Sequence, residues 1–334
     1  LQASAGTGKT HAIATLAARY IAEGVASLPQ LMVVTFSGAS SRELRTRVRR
    51  RLHELQETCL DSSPPQDPAW AAVLTAAPTK LVRQRVSQAL GAFDAAMICT
   101  THQFCDRMLA ELGILADHDP GTVLADDLRS LVRESTSDEY LRRYAADGRP
   151  PFPLYDAVRL CQAAVENPMA PLLPDPASGS GAWRERVTLA ETVRELVEQR
   201  KRELGWYSFD DMQVRLLRAL QHPVTGQAAR ERVRRRFPVV LVDEFQDTDP
   251  IQWQIISQTF AGEQTSTILI GDPKQSIYGF RGADVQAYLE AVGSSRVEVL
   301  DTNRRSTAEL VGAVDAIFGR AALGDPRIVV APVQ

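Results

Sequence analysis

The sequence lacks the residue patterns that staple small or secreted folds. Its four cysteines, Cys59, Cys99, Cys105 and Cys161, stand at no metal-type spacing. They read as reduced thiols of a cytoplasmic protein, not as a zinc site or a disulfide framework. An excess of one charge is lacking too: 38 Lys and Arg against 41 Asp and Glu leave a net charge of −3. That balance gives no global pull toward nucleic acid, so any such surface must be local. No segment approaches the ~18 consecutive apolar residues that a membrane helix needs, which argues against a membrane partner. No internal repeat is evident, the chain opens at Leu1 without an initiator Met, and no signal peptide is expected.

What is present is ordinary for a soluble globular protein, with 44% hydrophobic and 24% charged residues. A length of 334 residues points to two compact units. Leu31–Phe36, Met97–Thr101, Val239–Asp243, Thr267–Gly271 and Val297–Leu300 are short apolar runs that read as buried strands. Amphipathic stretches alternate with them, such as Ile13, Leu16, Ala17, Tyr20 and Ile21 early on, and Leu310, Val311, Val314, Ile317 and Phe318 near the end. Alternation of this kind predicts an α/β domain whose mostly parallel sheet is covered by helices on both faces. Between about residues 112 and 205 the strand signals vanish and three helical patterns replace them, separated by Pro-rich stretches. The division expected is therefore residues 1–111 and 206–334 as the α/β domain, with 112–205 as an inserted helical subdomain. Two arginine clusters, Arg42–Arg51 and Arg230–Arg236, are solvated helix faces or phosphate-binding patches on composition alone.

Chemistry concentrates in a few segments. Ala3–Thr10 reads ASAGTGKT, a Gly-rich loop leading into a helix. Such a loop aims the backbone N–H groups of Ser4, Ala5, Gly6, Thr7 and Gly8 at nucleotide phosphates; Lys9 reaches the β- and γ-phosphates and the Thr10 hydroxyl ligates Mg²⁺. Ala3 stands where the general pattern has Gly. Only Leu1 and Gln2 precede this loop, where a feeding strand belongs, so the sequence is expected to be truncated at its N-terminus. More than two hundred residues later, Leu241–Asp247 reads LVDEFQD. The apolar run places Asp243 and Glu244 at the C-terminal end of a strand, where open α/β sheets bind ligands. Asp243 is the expected Mg²⁺ ligand, and Glu244 the group that orients and deprotonates the attacking water. Gly271–Asp284 reads GDPKQSIYGFRGAD. Gln275 suits a sensor between γ-phosphate and water because it both donates and accepts. Tyr278, Phe280 and Arg281 have the composition of a stacking platform for single-stranded bases. Asp301–Ser306 (DTNRRS) then brings Arg304 and Arg305 to the nucleotide edge, where one can neutralise γ-phosphate charge.

In this order the segments resemble the superfamily 1A helicases of the UvrD/Rep type, and in wording most closely the RecB helicase–nuclease branch. ASAGTGKT is similar to motif I, Val33–Val48 to motif Ia, Thr101–Leu109 to motif Ib, and Phe209–Met212 (FDDM) to the segment that shortly precedes motif II. Val242–Trp253, Gly271–Asp284 and LDTNRRS resemble motifs II, III and IV. The resemblance implies a P-loop NTPase (RecA-like) fold with domains 1A and 1B, ATP and Mg²⁺ as cofactors, and DNA as partner. Lys9, Thr10, Asp243, Glu244, Gln275 and Arg305 would form the ATPase site. Thr35, Phe36, Thr101, His102, Tyr278, Phe280 and Arg281 would line the single-strand DNA track. It further implies 3′→5′ translocation and unwinding in repair or recombination, with RecC- and RecD-like subunits as partners if the protein is of the RecB type.

Two departures qualify that expectation. Arg304 stands where the family usually has an aromatic residue to stack on adenine, which bears on base selectivity, and the family's adenine-reading Gln lies upstream of the loop. The chain stops at Gln334, soon after motif IV, so motifs V and VI, the second RecA-like domain and any nuclease domain are expected to lie outside it. On that reading the fragment alone hydrolyses ATP poorly and unwinds no DNA. The alternative, a non-catalytic DNA-binding scaffold relative, would typically lose the Lys or the acidic pair; both are present here.

Overall fold

The computed structural model describes residues 1–333 apart from 62, 117–120, 126, 147, 149, 169, 175–180, 263, 280 and 281. It contains two compact units, Leu1–Asp117 with Leu216–Gln334, and His118–Arg215. The first unit opens with β1 (Gln2–Ala3), α1 (Lys9–Glu23), β2 (Leu31–Thr35), α2 (Gly38–Thr58), α3 (Pro68–Ala76), α4 (Thr79–Gly91), β3 (Met97–Thr100) and α5 (Thr101–Leu112). The second holds β4 (Val123–Leu124), α6 (Arg129–Tyr144), α7 (Leu154–Glu166), α8 (Ala182–Leu204) and β5 (Trp206–Tyr207), and α9 (Phe209–Gln221) leads out of it. The first unit then resumes with α10 (Gly226–Arg236), β6 (Val239–Val242), α11 (Pro250–Phe260), β7 (Ser266–Leu269), α12 (Val285–Gly293), β8 (Val299–Leu300), α13 (Ala308–Phe318), β9 (Ala322–Leu323) and β10 (Asp325–Val329).

The sheet of the first unit runs β3-β2-β6-β7 with every pair parallel. A parallel bridge between Gln2 and Gly271 continues it to β1, which pairs in parallel with β8. Residues of β2 and β6 are buried without exception, as continuous apolar runs in a doubly covered sheet should be. Side chains alternate between the two faces. Leu31, Val33, Val239 and Leu241 pack with Ile13, Ala17, Leu44, Val48, Trp70 and Val86 from α1 to α4. Met32, Val34, Val240 and Val242, equally buried, point by alternation to the face carrying α5, α10 and α11, where Phe104 and Phe260 meet with ring centroids 6.4 Å apart. Two expectations need adjusting. β7 is only partly covered, from exposed Ser266 to half-buried Thr267, Ile268 and Leu269, and β9 and β10 form an antiparallel hairpin that the sequence did not announce. A strand of two residues, as β9 is, carries no periodicity to read.

The arginine clusters are tied largely into this unit. Arg51 is 6% exposed, lies 4.2 Å from the Trp70 ring and pairs with Glu54 and Asp67. Arg45 donates to the carbonyls of Phe93 and Ala96. On α10, Arg230 and Arg234 donate to Leu220 and Thr259 near the C-termini of α9 and α11, whose last carbonyls have no partner within their own helices.

In the second unit α6, α7 and α8 bury Leu131, Val132, Ala157, Cys161, Leu189, Val193 and Val197 against one another. Tyr140, Tyr144 and Phe152 meet edge to face at 5.0 to 6.2 Å. A two-residue parallel ladder between β4 and β5 was not foreseen in this helical stretch. The FDDM segment has a buried partner here: the Lys201 ammonium lies 2.7 and 2.8 Å from the two Asp211 oxygens, and the Ser208 N–H donates to the same carboxylate at 2.6 Å.

Candidate nucleotide and nucleic-acid site

The chemistry-bearing residues gather at the C-terminal ends of the parallel strands, because the register lines those ends up. Thr35 pairs with Thr100, Val34 with Val242, Val242 with Leu269, and Ala3 with Leu300. Segments far apart in sequence therefore leave the sheet side by side.

The phosphate-type loop leaves β1 and enters α1 through two glycines in the left-handed region, Gly6 (φ 82°) and Gly8 (φ 88°). A side chain at Gly6 would be strained and would also collide: its Cβ would lie 2.6 Å from Asn303 Oδ1. The DTNRRS segment clasps this loop. Arg304 N–H donates to the Gly6 carbonyl at 2.9 Å, and Asn303 Nδ2 reaches the Ala5 carbonyl at 3.4 Å. Asn303 Oδ1 accepts from the Arg305 and Ser306 N–H groups at 2.9 and 3.0 Å, which fixes the turn carrying Arg305.

A cavity of about 230 Å³ opens at the N-terminus of α1, lined by Ser4, Ala5, Gly6, Gly8, Lys9, Thr10, His11, Arg47, Glu244, Gln275 and Arg305. Of the residues expected at the nucleotide, Ala3 and Thr7 stand behind this wall. Ala3 is fully buried in β1, and Thr7 Oγ1 donates to the Ser4 carbonyl at 2.8 Å. Lys9 Nζ lies 2.8 Å from Glu244 Oε2 and 3.2 Å from Gln275 Oε1. Two acceptors, each more than two hundred positions from Lys9, thus share its ammonium.

Glu244 adopts φ 50°, a left-handed conformation uncommon for a residue with a side chain. A short 3₁₀ turn, Phe245–Asp247, follows directly, and Phe245 N–H donates to the Ile270 carbonyl at 2.9 Å. Asp243, 7% exposed, has one oxygen engaged by the Glu244 N–H at 2.9 Å. Burial first, then the neighbouring Glu244 carboxylate, pushes its pKa up to about 6. Asp247 is pushed to about 6 by the same two causes, and its Oδ1 is buried without a hydrogen-bond partner among the described residues. Gln275 Nε2 donates to Asp272 Oδ2 at 2.8 Å, while Lys274 pairs with the other oxygen at 2.6 Å.

A smaller cavity adjoins, with Asp243 and Glu244 in its wall beside Thr35, Phe36, Thr101, Asp247 and Thr248. Glu244 is common to both. Thr35 is 1% exposed, its hydroxyl bonded to the Ser37 carbonyl and to Ser41, so it shapes the strand end. Phe36 stacks on Tyr278 with centroids 4.9 Å apart and planes at 28°. His102 follows Thr101 in the first turn of α5. Phe280 and Arg281 lie outside the described residues. Residues that sequence reasoning passed over are Arg47, Gln246, Asp272 and Asn303. Arg47 belongs to a cluster that composition left open as a solvated helix face or a phosphate-binding patch, and it lines the larger cavity.

The chain matches the UvrD/REP helicase N-terminal domain over residues 1–294. It is 42% identical over 344 residues to RecBCD enzyme subunit RecB of Mycolicibacterium smegmatis, covering 100% of this chain and 31% of that protein. Against the subunit of the same name from Mycobacterium tuberculosis identity is 41% over 335 residues, 99% of this chain and 30% of the relative. For Escherichia coli the figures are 28% over 450 residues, 96% and 38%. The chain therefore spans 30% to 38% of the length of these relatives. With a family match from residue 1 to 294, the chain belongs to the UvrD/REP helicase family and carries that family's N-terminal domain.

Proposed function

We propose that this chain is the ATP-binding part of a DNA helicase that couples ATP hydrolysis to 3′→5′ movement on single-stranded DNA in repair or recombination. The observation that carries the proposal is the convergence of Lys9, Glu244 and Gln275 at the N-terminus of a 15-residue helix. Helix N-termini with Gly-rich loops favour phosphate, because unpaired N–H groups and the helix dipole point at it. Lys9, Arg47 and Arg305 add cationic side chains to the same wall, so the cavity fits a polyphosphate.

Mg²⁺ fits as well. Asp243 offers a buried carboxylate with one oxygen that no donor reaches among the described residues, and Thr10 lines the cavity. Mg²⁺ characteristically takes one or two carboxylates plus substrate phosphates and water, not a protein cage. When bound, it neutralises charge on the phosphoryl oxygens. In this reading phosphate takes the Lys9 ammonium away from Glu244, which is then free to accept a proton from water. Gln275 orients that water and Arg305 stabilises charge at the γ-phosphate. Thr35, Phe36, Thr101, His102, Tyr278, Phe280 and Arg281 are assigned to the DNA side, the Phe36–Tyr278 stack offering a ring face to bases.

The unit made of 1–117 and 216–334 is assigned as motor domain 1A and 118–215 as its insertion 1B. The names of the mycobacterial relatives suggest RecC- and RecD-like partners. The test is single-strand-stimulated ATP hydrolysis by the intact gene product. Glu244→Gln should cut turnover by about 10²–10⁴-fold, the usual share of a positioned base, while ATP still binds. Native turnover in that variant would refute the assignment.

A further inference from the structure

We propose that Gln246 is a positioning residue for Glu244, and that it ties the hydrolytic carboxylate to the γ-phosphate sensor through one buried amide. The inference rests on the reading of Glu244 as the base, given above.

Glu244 Oε2 receives two donors, Lys9 Nζ and Gln246 Nε2, both at 2.8 Å. Among the described residues no donor reaches Oε1, and the side chain is 32% exposed, on the wall of the larger cavity. The two donors differ in permanence. Lys9 is the cation at the phosphate loop, and a bound phosphate competes for its ammonium. Gln246 has no such competitor: it is 2% exposed and held from other sides. Its Oε1 accepts the Asp272 backbone N–H at 2.9 Å, which settles which end of the amide is the NH₂. Its carbonyl accepts from Ser276 Oγ at 3.2 Å. Gly271 is packed so closely that a Cβ there would lie 2.6 Å from Gln246 Oε1. Once Lys9 has turned to phosphate, Gln246 is the donor that still fixes Oε2, and so fixes which oxygen presents its lone pairs to the cavity.

The same amide leans on Asp272, whose carboxylate orients Gln275 at 2.8 Å. Base and sensor therefore stand on one support, built from the ends of two neighbouring strands. Glutamine is specifically suited. Glutamate at this position keeps an acceptor for the Asp272 N–H but has no donor for Glu244, and methionine fills the space with neither.

The experiment measures steady-state ATP hydrolysis by the intact gene product with saturating single-stranded DNA, for Gln246→Met, Gln246→Glu and Glu244→Gln. Both Gln246 variants should lower kcat about 10–100-fold, part of what a positioned base contributes, with KM for ATP within about twofold, since nucleotide contacts are untouched. Gly271→Ala displaces the same amide sterically and should show the same split, which covers the case of a variant at 246 that does not fold. Unchanged kcat in folded Gln246 variants, or a loss confined to KM, overturns the positioning role. If Glu244→Gln hydrolyses like the native protein, the base assignment falls and this inference with it. If Glu244→Gln is inactive while the Gln246 variants turn over normally, only this inference falls.

Discussion

Asp247 shows how much of the site is decided by surroundings that a sequence does not display. It is 6% exposed with one oxygen lacking a partner among the described residues, and burial followed by the Glu244 carboxylate pushes its pKa up to about 6. Its folded-state pKa exceeds that of the unfolded chain, so the folded protein keeps a proton that the unfolded one releases. Stability from this group is present below the unfolded pKa and is lost as pH rises to about 6. Asp247→Asn should therefore raise the melting temperature of the nucleotide-free protein near about pH 7.5 and leave it nearly unchanged near about pH 4. Equal effects at both pH values would contradict this reading of the burial. The residues that were legible, Lys9, Glu244, Gln275 and Arg305, belong to motifs whose types announce their chemistry, and all four line one cavity. Gln246, Asp272 and Asn303 were not, because each acts through the neighbour it faces. Arg47 differs from Arg45 and Arg51 only in the direction its helix gives it: to the cavity, against backbone carbonyls, and onto Trp70.

Among the elements, the long apolar strands were readable because burial on both faces leaves a continuous run. β2, β3 and β6 fall within the expected segments Leu31–Phe36, Met97–Thr101 and Val239–Asp243. The helices α6, α7 and α8 fall where helical periodicity replaced strand signals. The two-residue β4, β5 and β9 were invisible, since two residues cannot display an alternation. Charge pattern said less than hydrophobic pattern. Arg230 and Arg234 of α10 cap the ends of neighbouring helices, a task that in sequence looks like a basic patch. The link between α8 and α9 rests on Lys201 and Asp211, whose side chains are 3% and 11% exposed. Asp211→Ala leaves a buried ammonium with Glu198 as its remaining partner. It should cost about 3–5 kcal/mol, as breaking a buried pair typically does. Urea unfolding would register this as a lower midpoint, and a midpoint within error of native would show that the pair contributes little.

For the molecule as a whole, the parallel sheet collects the ends of β1, β2, β3, β6, β7 and β8 and the residues that follow them. The glycine-rich loop, the acidic pair, Gln275 and the aromatic stack all follow from that order. Among the described residues no helix is long and apolar enough to cross a membrane. Cys99, Cys105 and Cys161 are buried free thiols whose pKa values burial raises, so they serve packing. On the function proposed above, Lys9 stands at a nucleotide-phosphate site. The most direct test is titration of this chain with a fluorescent ATP analogue in the presence of Mg²⁺, native against Lys9→Ala. Saturable binding by the native chain is expected, weakened at least about tenfold in the variant, since a hydrogen bond from a charged group contributes about 1.5–3 kcal/mol. Equal affinity of the two proteins, or no saturable binding by the native chain, would rule out that placement of Lys9.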